Sequence, residues 1–353
     1  MNPAVEILDS NETFVRFKLS NVDVAVANSL RRTMIAEVES LAISTVTIEE
    51  NSGVLHDEFL AHRLGLVPFR HERGYAGSKE MKLNRNCECN STCPQCAINV
   101  SCAVRYDQLY GWLVNGNQPF YESGEGGKVR YDVPTGEVVP GGEHVMNKED
   151  RFDVTSKMLN VDNLGKQHQA QPAHYTSKFE EEDNQDNGIR ITKLRRGQSI
   201  KFQANVQKGI GKEHAKWSPV CTAAFQFIPK IKLNHTRINE LSVKQKKEFA
   251  DSCPTPVFEY NEKTQKVELI DEMAYRFDGE SEAYSEKMKK SPEDDPLLTI
   301  TTEPNAFIFN VETTGALLPE EIVKSGLAVL GDKLRDLTYQ LGMLQQASAE
   351  STL

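Results

Sequence analysis

Four of the seven cysteines in this 353-residue chain fall in one short polar stretch, NCECNSTCPQC. Cys87, Cys89, Cys93 and Cys96 are spaced C-x-C-x3-C-x2-C, close enough for a single loop to present four thiolates to a tetrahedral ion. Four soft sulfur donors select zinc or an iron–sulfur centre. The order differs from the C-x2-C-x2-C-x3-C-P run of bacterial ferredoxins, and no aromatic or apolar shell flanks it to shield a cluster. Zinc is therefore the expected ion, in one structural site, with an iron–sulfur centre and unliganded thiols as the other readings. Four protein sulfurs leave no coordination position for an activated water. Cys102 is near enough to compete as a ligand, but it stands in the alternating run AINVSCAV and is expected to point from a strand.

The other polar clusters are weaker. KGIGKEHAKW gathers Lys208, Lys212, His214, Lys216 and Trp217. It is not a phosphate loop, because Val206 stands where the first glycine of G-x-x-x-x-G-K belongs and no Ser or Thr follows Lys212. A protein-contact loop anchored by Trp217 is the expected role, with a plain solvated turn as the other reading. Arg31 and Arg32 fit either solvated charges or bidentate holders of a partner's carboxylates. No G-x-S-x-G, H-E-x-x-H or dinucleotide fingerprint occurs. Asp278 and Glu280 of RFDGE read as loop acids, since a two-metal site needs more ligands on a rigid frame.

The elements that must carry these groups are legible in part. Val15 to Leu19 alternates as a half-buried strand, after which Asn21 or Asp23 can cap a helix beginning near Val24. In that helix Val26, Leu30, Met34 and Val38 recur every four residues, leaving Arg31 and Arg32 on its flanks. AISTVTIEENSGVL reads as one or two strands, and HDEFLAHRLGLVPF as a short helix stopped by Gly65 and Pro68. From about 74 to 188 the pattern is irregular, and its Gly-rich segment and the charge run KFEEEDNQDNG are expected to be mobile loops. Two strand-like runs then flank the basic loop. Residues 264–296 have the composition of an insertion or of a loosely held acidic excursion. Near the C-terminus Val323, Leu327, Leu330, Leu334, Leu337, Leu341 and Leu344 alternate four and three apart, the 3.5-residue repeat of an a/d seam. Pro319, Glu320 and Glu321 suit the first turn of that helix. A stripe this narrow points to a partner helix, with packing of the helix on its own domain as the other reading.

The length allows about two domains and a real core without disulfides. The formal net charge of −10 argues against wrapping nucleic acid unaided. The N-terminal residues lack a signal-peptide pattern and no apolar run approaches a bilayer's thickness, so a soluble, intracellular protein with no membrane partner is expected.

The stretches LSNVDVAVANSLRRTMIAEVESLAI, VLHDEFLAHRLGLVPF, ITKLRRGQSIKFQANVQKGIGKEHAKWSP and FIFNVETTGALLPEEIVKSGLAVLGDKLRDL, taken together, closely resemble the α-like subunits of RNA polymerases. That family holds the bacterial α subunit, the archaeal D subunit and the third-largest subunit of eukaryotic RNA polymerase II. The resemblance implies an α+β fold: a dimerisation domain built from residues 1–49 and 224–353, interrupted by an insert domain, 50–223, that carries the cysteine loop. It implies a noncatalytic, nuclear assembly subunit whose two partner-facing helices meet a small α-like subunit, which assigns Val26, Leu30 and Met34 to that interface with the C-terminal leucines. Arg31 and Arg32 would face the second-largest subunit. Lys212, His214, Lys216 and Trp217 would meet that subunit and small zinc-bearing subunits. Nucleic acid would be reached only through the complex. The cysteine order resembles the polymerase II form, with the paralogue shared by polymerases I and III as the alternative. An iron–sulfur electron carrier is a remoter one. The Gly-rich extension near 105–150 and the excursion near 264–296 depart from the family pattern.

Overall fold

The structure, a computed structural model, describes residues 2–106, 120–123, 127–130, 151–163, 168–173, 188–195, 197–289 and 291–350, with backbone alone for 120–123, 127–130 and 346–350. In chain order the strands are β1 (Ala4–Ser10), β2 (Phe14–Ser20), β3 (Glu39–Asn51), β4 (Pro68–His71), β5 (Ala97–Arg105), β6 (Phe120–Ser123), β7 (Gly127–Arg130) and β8 (Phe152–Thr155). They continue with β9 (Asn160–Val161), β10 (Ala170–Pro172), β11 (Arg190–Leu194), β12 (Ser199–Ile210), β13 (Val220–Leu233), β14 (Phe258–Asn261), β15 (Lys266–Leu269) and β16 (Leu298–Thr313). The helices are α1 (Val24–Ala36), α2 (Asp57–Gly65), α3 (Gly74–Glu80), α4 (His235–Asn239), α5 (Val243–Ala250), α6 (Glu280–Lys287) and α7 (Pro319–Glu350). The mixture is the expected α+β class. The charge run up to residue 187 and most of the Gly-rich segment lie outside the described residues, apart from the antiparallel pair β6–β7.

The chain divides into two compact units. The first comprises residues 1–9, 16–27 and 224–310. The four-stranded sheet β1-β2-β16-β13 lies largely within it, and Phe17 stacks flat on Phe309 with ring centroids 5.0 Å apart. Asp23, rather than Asn21, starts α1: its Oδ1 accepts from Ala25 N at 2.7 Å. A separate small core gathers Ile231, Ile238, Phe249, Val257, Phe258, Val267 and Tyr275. The last two correct an expectation. Residues 264–296 are not a loose excursion, because Val267 and Tyr275 are buried, the Tyr275 hydroxyl bonds Glu282 at 2.6 Å, and Ser285 Oγ accepts from Leu297 N at 2.8 Å. Asp278 accepts from Glu280 N at 2.9 Å, so these two acids begin α6.

The second unit comprises residues 10–15, 28–223 and 311–353. Its frame is an antiparallel six-stranded sheet ordered β10-β4-β3-β12-β5-β9. Alternate residues Phe202, Ala204 and Val206 of β12 point into the core beside Ile98, Val100 and Cys102 of β5 and Leu64 of α2, as the period of two in a half-buried sheet requires. The AISTVTIEENSGVL region resolves as a single strand, β3, and Gly65 ends α2 as the sequence implied.

Candidate metal centre and partner-facing helix

The cysteine loop hangs between the end of α3 and the start of β5. Lys82 N donates to Gln95 O at 3.0 Å, and Cys96 N and Ala97 N both donate to Cys93 O, at 3.0 and 2.9 Å. These bonds turn the chain so that the four sulfurs converge, all within 4.8 Å of one another. Three of the separations are 3.5 Å (Cys87–Cys93), 3.6 Å (Cys89–Cys96) and 3.7 Å (Cys93–Cys96). A tetrahedron with metal–sulfur bonds of about 2.3 Å has edges of about 3.8 Å, so the cage fits such an ion closely. Outer donors are present as well: Asn84 Nδ2 and Cys93 N point at Cys96 Sγ from 3.5 and 3.4 Å, orienting the sulfur as supporting groups around a metal do.

The acidities agree with a site that needs a cation. The Gln95 backbone N–H, together with the Cys87 side chain, brings the Cys93 thiol down to about 7. Cys89 is driven up to about 12, first by its hydrogen bond with Cys87 and then by burial. Sulfurs this close cannot all ionise unless a positive charge sits among them. Cys102 is not part of the cage. It is buried in the core on β5, and desolvation pushes its thiol to about 12.

The C-terminal leucine repeat lies on one unbroken helix, α7, and its two halves differ. In the first half Ile322, Ser325 and Gly326 are buried. A Cβ on Gly326 would come within 2.9 Å of Met34 Cγ and 3.4 Å of Leu30 Cδ1, so α1 crosses α7 closely enough that a larger residue would have to push Met34 aside. Leu30 and Met34 thus pack against the chain's own α7, whereas Val26 is exposed. From Asp332 to Gln345 every residue except Gly342 is exposed. Leu334, Leu337, Leu341 and Leu344 are 57, 56, 59 and 67% accessible. Leu327 is also exposed, while Val323 and Leu330 are half-buried.

The remaining candidates separate likewise. Arg31 is folded back on Asn28 Oδ1 at 2.9 Å, and Arg32 is exposed. Near the end of β12, Lys208 is buried against Glu39 Oε2 at 3.1 Å, and the β12–β13 loop follows. Trp217 lies over Gly209, donates from Nε1 to Gln207 O at 3.1 Å, and carries Lys216 Nζ 4.4 Å above its ring. Lys216 Nζ also donates to Ile43 O at 2.9 Å, and burial lowers its pKa. Trp217 therefore anchors the loop to its own sheet, leaving Lys212 and His214 at the surface.

Among the elements that the sequence pattern does not announce, one bears on the cysteine loop. Helix α3, GYAGSKE, has no apolar period and two glycines. Its positions are dictated from outside: a Cβ on Gly74 (φ +59°) would meet the Glu321 carboxylate, and one on Gly77 would meet the His71 ring. The signal that could have found it was the pair of glycines spaced three apart, each marking a close approach.

The sequence profile described as the RNA polymerase Rpb3/Rpb11 dimerisation domain matches residues 16–334. The chain belongs to the Rpb3/Rpb11 dimerisation-domain family. Within the family it is 36% identical to the DNA-directed RNA polymerase II subunit rpb3 of Dictyostelium discoideum, over 97% of this chain and 96% of that one. It is 34% identical to subunit 3 of RNA polymerases II, IV and V of Arabidopsis thaliana, over 94 and 89%. The RNA polymerases I and III subunit rpac1 of the same Dictyostelium is 26% identical, over 94 and 80%. This Rpb3/Rpb11-family chain is therefore nearer to the polymerase II form than to the polymerase I and III form. Among its described residues no helix is long and apolar enough to cross a membrane.

Proposed function

We propose that the chain is a noncatalytic assembly subunit of nuclear RNA polymerase II, pairing through α7 with a small α-like subunit and then docking the second-largest subunit. The observation that carries this reading is the bare leucine stripe on the second half of α7. An exposed row of Leu334, Leu337, Leu341 and Leu344 on a helix this long is what an unfilled a/d seam presents. The resemblance assigned Leu30 and Met34 to the same interface; their burial against α7 leaves Val26, Leu327 and the distal leucines as the exposed part. The dimerisation and insert modules at 1–49 with 224–353 and at 50–223 belong to the same reading.

Cys87, Cys89, Cys93 and Cys96 would hold one structural zinc, whose charge lets all four sulfurs ionise together. In this reading Arg32 and Arg31 meet the second-largest subunit, and the exposed Lys212 and His214 of the β12–β13 loop meet that subunit or small zinc-bearing ones. Lys216 and Trp217 hold the loop in position.

A tagged chain recovered from native nuclear extract tests the whole reading. The expected result is stoichiometric recovery with a small α-like subunit and the largest subunit of polymerase II, with about one zinc and no iron per chain. Arg32→Glu is expected to retain the small partner and lose the larger subunits. Recovery with the largest subunits of polymerases I and III would transfer the chain to the paralogue's role. Stoichiometric iron with visible charge-transfer absorption would replace zinc by a cluster.

A further inference from the structure

Helix α3 has seven residues, too few to hold a helix by itself, and both its ends are tied to functional features of the second unit. At its start, Arg73 N donates to His71 Nδ1 at 3.1 Å, and Tyr75 N donates to Glu321 Oε1 at 3.3 Å. The other oxygen of Glu321 accepts from Leu318 N at 3.1 Å, closing the first turn of α7 in the manner of a capping box. One carboxylate therefore caps two helices. Gly74 is what lets it in, because any side chain there would overlap Oε1. One turn further along α7, the buried Ser325 lies beside the Tyr75 hydroxyl.

At its far end, α3 runs directly into the cysteine loop. Lys79 O accepts from the buried Lys208 Nζ at 3.2 Å, and Met81 is fully buried. Lys82 N is then bonded to Gln95 O, at 3.0 Å. Gln95 lies between Cys93 and Cys96, whose sulfurs are 3.7 Å apart, so the position of that carbonyl depends on the cage being closed. A second tie runs from the same loop: Arg85 pairs with Glu213, and in the same β12–β13 loop Lys212 N donates to Ala36 O at 2.8 Å, at the end of α1.

We propose that α3 is a strut that transmits closure of the cysteine cage to the first turn of α7, so that metal occupancy sets how well the partner-facing helix is held for pairing. Glu321 and Tyr75 are the positioning residues of that strut. The inference rests on the reading of α7 as the partner helix and adds to it a dependence of pairing on a site at the other end of α3. With the cage open, Gln95 O moves, the Lys82 bond is lost, α3 frays from its C-terminal end, and Glu321 is left capping α7 alone.

Two measurements on the full chain separate this inference from the reading beneath it. The first is amide hydrogen exchange of the chain by itself, zinc-loaded and after chelation. Faster exchange is expected on chelation at Tyr75–Lys82 and at the first turn of α7 as well as in the cysteine loop. Acceleration confined to residues 84–97 would overturn the strut. The second is the pairing affinity for the small α-like subunit. Chelation is expected to weaken pairing of the wild-type chain by about tenfold, within the usual range for coupled sites. Glu321→Ala is expected to weaken pairing similarly and to remove most of its response to zinc, the non-additivity that marks a shared path. Glu321→Gln keeps a single acceptor oxygen, so it can cap α3 or α7 but not both, and it is expected to weaken pairing less than Glu321→Ala while also losing most of the response. Chelation and Glu321→Ala effects that simply multiply would overturn the strut, as would pairing indifferent to zinc. A zinc-loaded wild-type chain that does not pair at all would instead sink the proposed function, and the exchange experiment would still decide the strut.

Discussion

Along α7 the same leucine repeat passes through two environments. In its first half α1 and α3 cover the helix, with Gly326 letting Met34 in close and Glu321 and Ser325 reached by α3. In its second half the repeat continues with no covering element among the described residues, and four leucines stand more than half exposed. The difference teaches what a heptad pattern encodes. It fixes which residues share a face and leaves open whether the chain itself or another chain fills that face. Here the chain fills the first half itself and leaves the second half exposed, and the anchored half determines the direction in which the bare half projects.

Four variants would sharpen or break that contrast. The largest effect is expected from Leu334→Asp combined with Leu337→Asp. Each leucine buried at an interface is worth about 1.5–3 kcal/mol, so pairing should fall on the order of 1,000-fold. The free chain's unfolding free energy should move by less than about 0.5 kcal/mol, as for surface changes generally. Binding assays set beside denaturant melts read both. A collapse of the free chain's stability would show that the second half is covered after all.

Ile322→Ala should do the reverse. This side chain is fully buried, and its truncation is expected to cost the chain about 2–5 kcal/mol in a urea melt. A smaller loss would mean that the first half is not anchored. Gly326→Ala forces a methyl to 2.9 Å from Met34 Cγ, and Met34 is itself fully buried. About 1–3 kcal/mol of destabilisation is expected from that overpacking, and a neutral result would mean that α1 can slide along α7. Least of all, Lys333→Ala removes the ion pair with Glu37 (2.8 Å), whose side chains are 54 and 27% exposed. Its expected cost is about 0.2–1 kcal/mol, fading at high salt. A larger, salt-independent loss would place Lys333 in the anchored half instead of at its boundary.

How far the sequence carried the account depends on whether a feature is local. Cys87, Cys89, Cys93 and Cys96 sit on one loop and their sulfurs converge there, so spacing alone identified the cage. Asp23, Gly65 and Pro319 mark helix ends because caps act on the adjoining turn. The leucine repeat was equally plain. What could not be read was whatever depends on contacts between distant segments. Helix α3 exists because Glu321 and His71 occupy the spaces beside its glycines, and neither neighbour is visible from GYAGSKE. Leu30 and Met34 share a stripe with Val26, yet only the crossing at Gly326 decides which of them water reaches. The stretch 264–296 reads as loose because its charge outweighs its few apolar residues in any average, although Val267 and Tyr275 suffice to pin it to a core.

The bare stripe on α7 also bears on how the chain is kept in a cell. Leu334, Leu337, Tyr339, Leu341, Met343 and Leu344 offer an unpaired copy a greasy surface on a stiff rod, the kind of patch that promotes self-association and recognition by quality control. By mass action, a partner that binds the folded form raises its effective stability. The supply of that partner then sets how much of the chain persists, and an excess of this subunit is expected to be short-lived or insoluble.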